Sequence, residues 1–93
     1  MRYVKVAWDH DFADDPVIYL SELGDDGYET RKVQFYRDGR SEWADEIHET
    51  ATVGLSEIPF PSLEEISSQP EFSAELITVD EFENAWSRSH AGS

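Results

Sequence analysis

Cysteine is absent from the 93 residues, so no disulfide and no thiolate metal site can form, and cysteine usage leaves the redox compartment undetermined. Basic residues are scarce. Seven Lys and Arg stand against 21 Asp and Glu, a formal charge of −14 at pH 7, and none lies between Arg40 and Arg88. A field of that sign repels nucleic acid and anionic membranes and speeds encounter with basic partners. The same acidity also serves solubility alone. Long apolar runs are missing too. The first twenty residues contain Asp9, Asp11, Asp14 and Asp15, which argues against a signal peptide or membrane span there and makes the cytoplasm the expected location. The five glycines fall at turns or in the tail, so no phosphate-cradling loop is present. No G-x-S-x-G elbow occurs, and His10, His48 and His90 fit no triad or dyad pattern, which leaves catalysis by His and nearby carboxylates as a minor alternative.

What is present is a folding pattern. Hydrophobic residues make up 39% of the chain, with three Trp and five Phe, enough for one modest core. We expect a single domain over residues 1–89 and a disordered tail over 90–93. The strongest local signal is Tyr28 to Asp45. Asp38-Gly39, between two runs of aromatic and β-branched residues, predicts a two-residue type I′ hairpin turn. That turn pairs Tyr36 with Ser41, Phe35 with Glu42, Gln34 with Trp43, Val33 with Ala44 and Lys32 with Asp45. Alternation then sends Val33, Phe35 and Ala44 to a core face, and Lys32, Gln34, Tyr36, Ser41, Trp43 and Asp45 to the other.

Two further strands precede the hairpin: residues 1–8, with Val4, Val6 and Trp8 in phase, and 16–23, with Ile18 and Leu20 in phase. Between them, 9–15 reads as an acidic loop. Residues 46–60 read as a long loop with room for one short strand. Ser62 and Glu65 form a capping box opening a helix that stops before Pro70. Residues 72–78 are extended. Thr78 and Glu81 form a second box opening a helix to about Ser89, with Val79, Phe82 and Trp86 along one stripe. The expected class is α+β: a four-stranded antiparallel meander sheet, a fifth short strand, and two helices packed on one face. That face would gather Val4, Val6, Trp8, Ile18, Leu20, Val33, Phe35, Leu63, Ile66, Phe82 and Trp86.

On the opposite face the strand phases place Tyr3, Lys5, Tyr19, Lys32, Gln34, Tyr36 and Trp43. Aromatic side chains with a polar end and a few cations suit recognition, although cross-strand aromatic pairs also serve the sheet alone. Asp9, His10, Asp11, Asp14 and Asp15 have charge without calcium-loop spacing. Asp45, Glu46, His48 and Glu49 would join them only if strands 1 and 4 end on the same side. No metal and no cofactor is expected.

Several segments together resemble a known bacterial family. They are Tyr3-Val4-Lys5-Val6 with Trp8, His10-Asp11-Phe12, Asp15-Pro16, Arg31-Lys32-Val33, Arg37-Asp38-Gly39-Arg40, Ala44-Asp45-Glu46, Pro59, Pro61-Ser62-Leu63-Glu64-Glu65-Ile66, and Glu81-Phe82 with Trp86. The family consists of acidic single-domain proteins of about this length, classed as a domain of unknown function. The resemblance implies a bacterial or phage setting and a free-standing domain, and it supplies no activity or catalytic residues. Small acidic bacterial domains of this kind are often immunity proteins or antitoxins, an analogy of class. The leading functional expectation is a non-enzymatic protein that binds and neutralises a basic protein, without direct nucleic-acid or membrane binding. Tyr36, Trp43, Gln34, Tyr19, Glu42, Glu46 and Glu49 would form the contact, with Trp43 as anchor and Glu57 adding charge. The alternative is a small-ligand or peptide-binding module on the aromatic sheet face. Oligomeric state has no signature in the sequence.

Overall fold

A computed structural model describes residues 1–49, 54–55 and 59–91 of the chain. Its elements run β1 (Arg2–Trp8), β2 (Pro16–Leu23), β3 (Glu29–Tyr36), β4 (Ser41–Asp45), α1 (Leu63–Ser67), β5 (Phe72–Leu76) and α2 (Val79–Ala91). The strands form one antiparallel sheet in the order β4-β3-β2-β1-β5, so the α+β class and the four-strand meander with a fifth strand are as expected. Val53, Glu57 and Ile58 of the predicted loop lie outside the described residues.

Both helix starts follow from their caps. Ser62 Oγ accepts the Glu65 N–H at 3.1 Å, and Thr78 Oγ1 accepts the Glu81 N–H at 3.1 Å, each satisfying a backbone donor that the helix cannot. The second helix runs through Ala91, beyond the expected end near Ser89. His90 therefore belongs to its last turn, where it stacks on Trp43 with ring centres 3.9 Å apart.

The central hairpin corrects the expected register. Tyr36 N–H bonds Arg40 C=O at 2.9 Å and Gly39 N–H bonds Tyr36 C=O at 3.1 Å, so the loop is Arg37-Asp38-Gly39. Gly39 has φ +92°, and no described residue other than glycine has positive φ, which rules out a type I′ turn at Asp38. The geometry is that of a three-residue hairpin loop, in which Gly alone takes the left-handed conformation. Asp38 supports it by accepting the Arg40 N–H at 3.0 Å and the Arg40 guanidinium at 2.7 Å. One extra loop residue moves every pairing by one: Val33 faces Trp43, Gln34 faces Glu42, and Lys32 faces Ala44. A slip of one residue in a strand exchanges its two faces. Trp43 thus goes to the side of Val33 and Phe35, and Ala44 to the side of Lys32 and Gln34.

The same logic separates the expected single core into two. In the β1–β2 ladder Lys5 faces Leu20 and Val6 faces Tyr19, so Val4 and Val6 share a face with Tyr19, not with Ile18 and Leu20. Val4, Val6, Leu23 and Ile66 form one cluster, joined by Tyr19, Phe60, Leu63, Phe72 and Ala74. Leu20, Val33, Phe82 and Ala85 form the other, joined by Tyr3, Ile18, Phe35, Trp43, Ile77 and Trp86. The short α1 therefore covers one face of the sheet and the long α2 the opposite face, in three layers, which corrects the expectation of both helices on one face. Val79, expected in the α2 stripe, is 48% exposed, and the buried positions are Phe82, Ala85 and Ser89.

On the α2 face, Arg31 ties the helix to the sheet. Its guanidinium donates to Glu22 at 2.9 and 2.6 Å and to Glu83 on α2 at 2.5 Å, and it lies 4.9 Å from the Phe82 ring centre and 5.0 Å from that of Trp86. The Arg31 hydrogen bonds, aided by the Thr30 hydroxyl, hold the buried Glu22 carboxyl down at about 2, and Glu22 in turn raises Arg31. No described helix is long and apolar enough to cross a membrane.

Candidate functional site

The α1 face differs from an ordinary core in carrying polar side chains beneath its apolar cover. Because β3 pairs with β2 in antiparallel register, Ser21 lies beside Lys32, while a bulge at Thr30 sets Glu29 beside Leu23. The three polar groups therefore meet. Ser21 Oγ–H donates to Glu29 Oε2 at 2.7 Å, and Lys32 Nζ stands 3.9 Å from Glu29 Oε1. The Glu29 side chain is 2% exposed and that of Lys32 18%. A loose ion pair so far out of water gains little in stability, because both charges lose hydration.

These residues floor a cavity of about 220 Å3, and α1 and the segment before it provide the opposite wall. Val6, Phe60, Ile66 and Phe72 give it an apolar lining, which Tyr19 and Gln69 also share. Burial, then the charge of Asp15, raises the Tyr19 hydroxyl above its ordinary value, and the Lys32 ammonium lies 5.5 Å from the Tyr19 ring centre. An apolar cavity with a few convergent polar groups is the usual form of a small-molecule site. Farther along the same face, buried Gln34 donates to the Tyr36 hydroxyl at 3.5 Å, and that hydroxyl donates to Glu42.

The residues expected to form the contact are thus divided. Tyr19, Gln34, Tyr36 and Glu42 share the α1 face, but Gln34 and Tyr36 are buried and Glu42 is held by Tyr36, so they form an internal network and not an exposed patch. Trp43 is on the α2 face, half-buried. Its ring is stacked on His48 at 3.8 Å and on His90 at 3.9 Å and meets the Trp86 ring edge-on at 5.3 Å. The outward Trp43 is therefore corrected. Tyr3 and Lys5, expected beside Tyr19, are also on the α2 face, where Tyr3 packs on Phe82 at 5.3 Å. Glu46 and Glu49 are exposed after β4, and Glu57 lies outside the described residues.

The two acidic groups with histidines stay apart. The meander runs β1 and β4 in opposite directions with two strands between them, so their C-terminal ends lie at opposite ends of the sheet. His10 has a structural task. Its Nδ1 accepts the Phe12 N–H at 2.9 Å and its Nε2 bonds Pro16 C=O at 2.8 Å, while Arg37 donates to its backbone carbonyl. Among the described residues, no group of three or more His, Asp or Glu is placed to hold a metal ion.

Sequence reasoning missed Ser21, Glu29 and Phe60 as cavity residues, and Glu22 with Arg31 as a buried pair. Turn symmetry did not signal these pairs: Glu22 is two residues before Gly24 but Arg31 four after Gly27, and Ser21 three before but Lys32 five after, so the pairing depends on the bulge at Thr30.

A second surface lies where β5 passes into α2. Leu76 is 60% exposed and Val79 48%. Glu75, Asp80 and Glu81 are their exposed acidic neighbours along the chain, Glu71 is exposed at the far end of β5, and Glu64 and Glu65 are exposed on α1. None of the six is in an ion pair among the described residues. The β5 edge itself is partly closed, since Phe72 N–H bonds Gln69 C=O at 3.0 Å and Ala74 N–H bonds Ser67 Oγ at 3.3 Å, which discourages strand addition there.

A family model described as a domain of unknown function (DUF6881) matches residues 2–91. No curated protein and no solved structure matches the chain.

Proposed function

The chain belongs to that family, and from this premise we propose that it is a non-enzymatic acidic protein that binds and neutralises a basic protein, in the manner of an immunity protein or antitoxin. A bacterial source and a cytoplasmic setting belong to the same proposal. The observation that supports it best is the passage from β5 into α2, where exposed Leu76 and Val79 alternate along the chain with exposed Glu75, Asp80 and Glu81, none of the three in an ion pair among the described residues. An apolar centre with a charged rim is the usual anatomy of a protein interface. Rim carboxylates accelerate encounter with a cationic cleft, and the desolvated centre prolongs the complex. Leu76 and Val79 take the anchoring role that the sequence had suggested for Trp43.

The test is capture from host lysate with the whole chain as bait, then stopped-flow with the purified partner. The partner should be basic. Replacing Glu64, Glu71 and Glu75 by Gln and Asp80 by Asn should slow association and flatten its salt dependence, while Leu76→Ser should mainly speed dissociation. A captured partner without a basic surface, or one that binds both variants as it binds the parent chain, sinks the reading.

A further inference from the structure

We propose that the cavity between the sheet and α1 is a binding site for a small uncharged aromatic carbonyl compound, an aryl amide being the simplest form. The site is separate from the β5–α2 surface and does not depend on a basic partner. Lys32 carries the argument. Its ammonium has three donor hydrogens and, among the described residues, makes no hydrogen bond: its ion-pair partner Glu29 Oε1 stands at 3.9 Å, beyond hydrogen-bond reach. The Lys32 side chain is 18% exposed and lines the cavity, and its ammonium lies 5.5 Å from the Tyr19 ring centre. A carbonyl oxygen entering the cavity would accept from it.

The rest of the ligand follows from the neighbours. A carboxylate would meet the Glu29 charge beside Lys32, and a cation would meet Lys32 itself, while either would lose its hydration on entering apolar walls. A neutral acceptor gains the Lys32 hydrogen bond without these costs. Phe60 and Phe72, with Tyr19, supply flat apolar surface for a ring. A cavity of about 220 Å3 admits one or two rings and not a folded peptide segment.

The experiment titrates the isotope-labelled whole chain with benzamide, benzoate and benzylamine, three probes of nearly equal shape and different charge, followed by backbone amide shifts. Benzamide should give saturable shifts centred on Tyr19, Ser21, Lys32 and Phe72, and the two ions should bind roughly tenfold or more weakly. Lys32→Met keeps the apolar stem and removes the donors. It should weaken benzamide about tenfold while leaving amide positions outside the cavity in place. Glu29→Gln should raise benzoate affinity relative to benzamide. If Glu29→Gln does not fold, Lys32→Met decides. The proposal is overturned by benzamide shifts that do not saturate or that centre elsewhere, by benzoate or benzylamine binding as well as benzamide, or by a folded Lys32→Met protein with undiminished benzamide affinity.

Discussion

The two faces of the sheet are built from similar strands and covered very differently. On one face the thirteen-residue α2 presses Phe82 and Ala85 against Leu20 and Val33, all four buried, and Glu22, Arg31 and Glu83 form one ion-pair network there. On the other face the five-residue α1 contributes Ile66, and a cavity remains over Ser21, Glu29 and Lys32. A filled face with matched charges holds the fold together. An underfilled face with a loosely paired ammonium gains little stability from that arrangement, and so is the better place to look for ligand chemistry.

The largest expected effect contrasts the two directly. Phe82 is fully buried, so Phe82→Ala should cost about 3–5 kcal/mol in urea unfolding, whereas Ile66→Ala beside an existing cavity should fall at or below the low end of the usual ~2–5 kcal/mol range. Equal losses would show that the faces are equally packed. Trp43→Ala should come next, at roughly 2–3 kcal/mol, because the ring is half-buried and stacked on both sides. A variant of unchanged stability would return Trp43 to the surface.

Glu22 gives a pH signature that belongs to the α2 face. Its folded value of about 2 lies below the ordinary 4.5, so the unfolded chain holds the extra proton between those values. The stabilisation is present in full above pH 4.5 and is lost as pH falls toward 2. Glu22→Gln should therefore cost on the order of 2–3 kcal/mol at pH 7, and its deficit relative to the parent chain should shrink across that window. A deficit independent of pH between 5 and 2 on urea titration would remove the ion-pair explanation.

Gly39→Val should cost ~1 kcal/mol or more, since φ of +92° strains a β-branched residue even though nothing lies within 4 Å of the added carbon. This loop decides to which face Trp43 goes, so near-ultraviolet circular dichroism should report a changed Trp environment in that variant. An unchanged melting midpoint would show a different turn. The smallest effect belongs to Lys32→Met, expected within about 0.5 kcal/mol of the parent chain, because its one ion pair among the described residues is long. A loss of several kcal/mol would make Lys32 a structural residue and close the gap between the faces.

Much of the local structure was legible in the sequence. Alternation located β1 and β2, the capping residues Ser62 and Thr78 placed both helix starts, and the Asp38-Gly39 pair marked the central hairpin. These signals are short-range, set by φ preferences and by backbone donors that a neighbouring side chain can satisfy. The candidate site was only half legible. Tyr19, Lys32, Gln34 and Tyr36 were correctly grouped on one face, but their burial and the cover supplied by Phe60 and Ile66 were not visible in strand phase.

By itself the sequence determined the element types, the acidic character of the second half and the class of the fold. Tertiary structure alone decided which faces meet. Strand alternation has period two, so it fixes the relation of side chains within a strand and says nothing of the offset between strands. One residue more in the Arg37–Gly39 loop carried Trp43 across the sheet, and the Val6–Tyr19 register carried Val4 and Val6 away from Leu20. Those two offsets turned one expected core into two, because long-range packing selects the register that buries both helices.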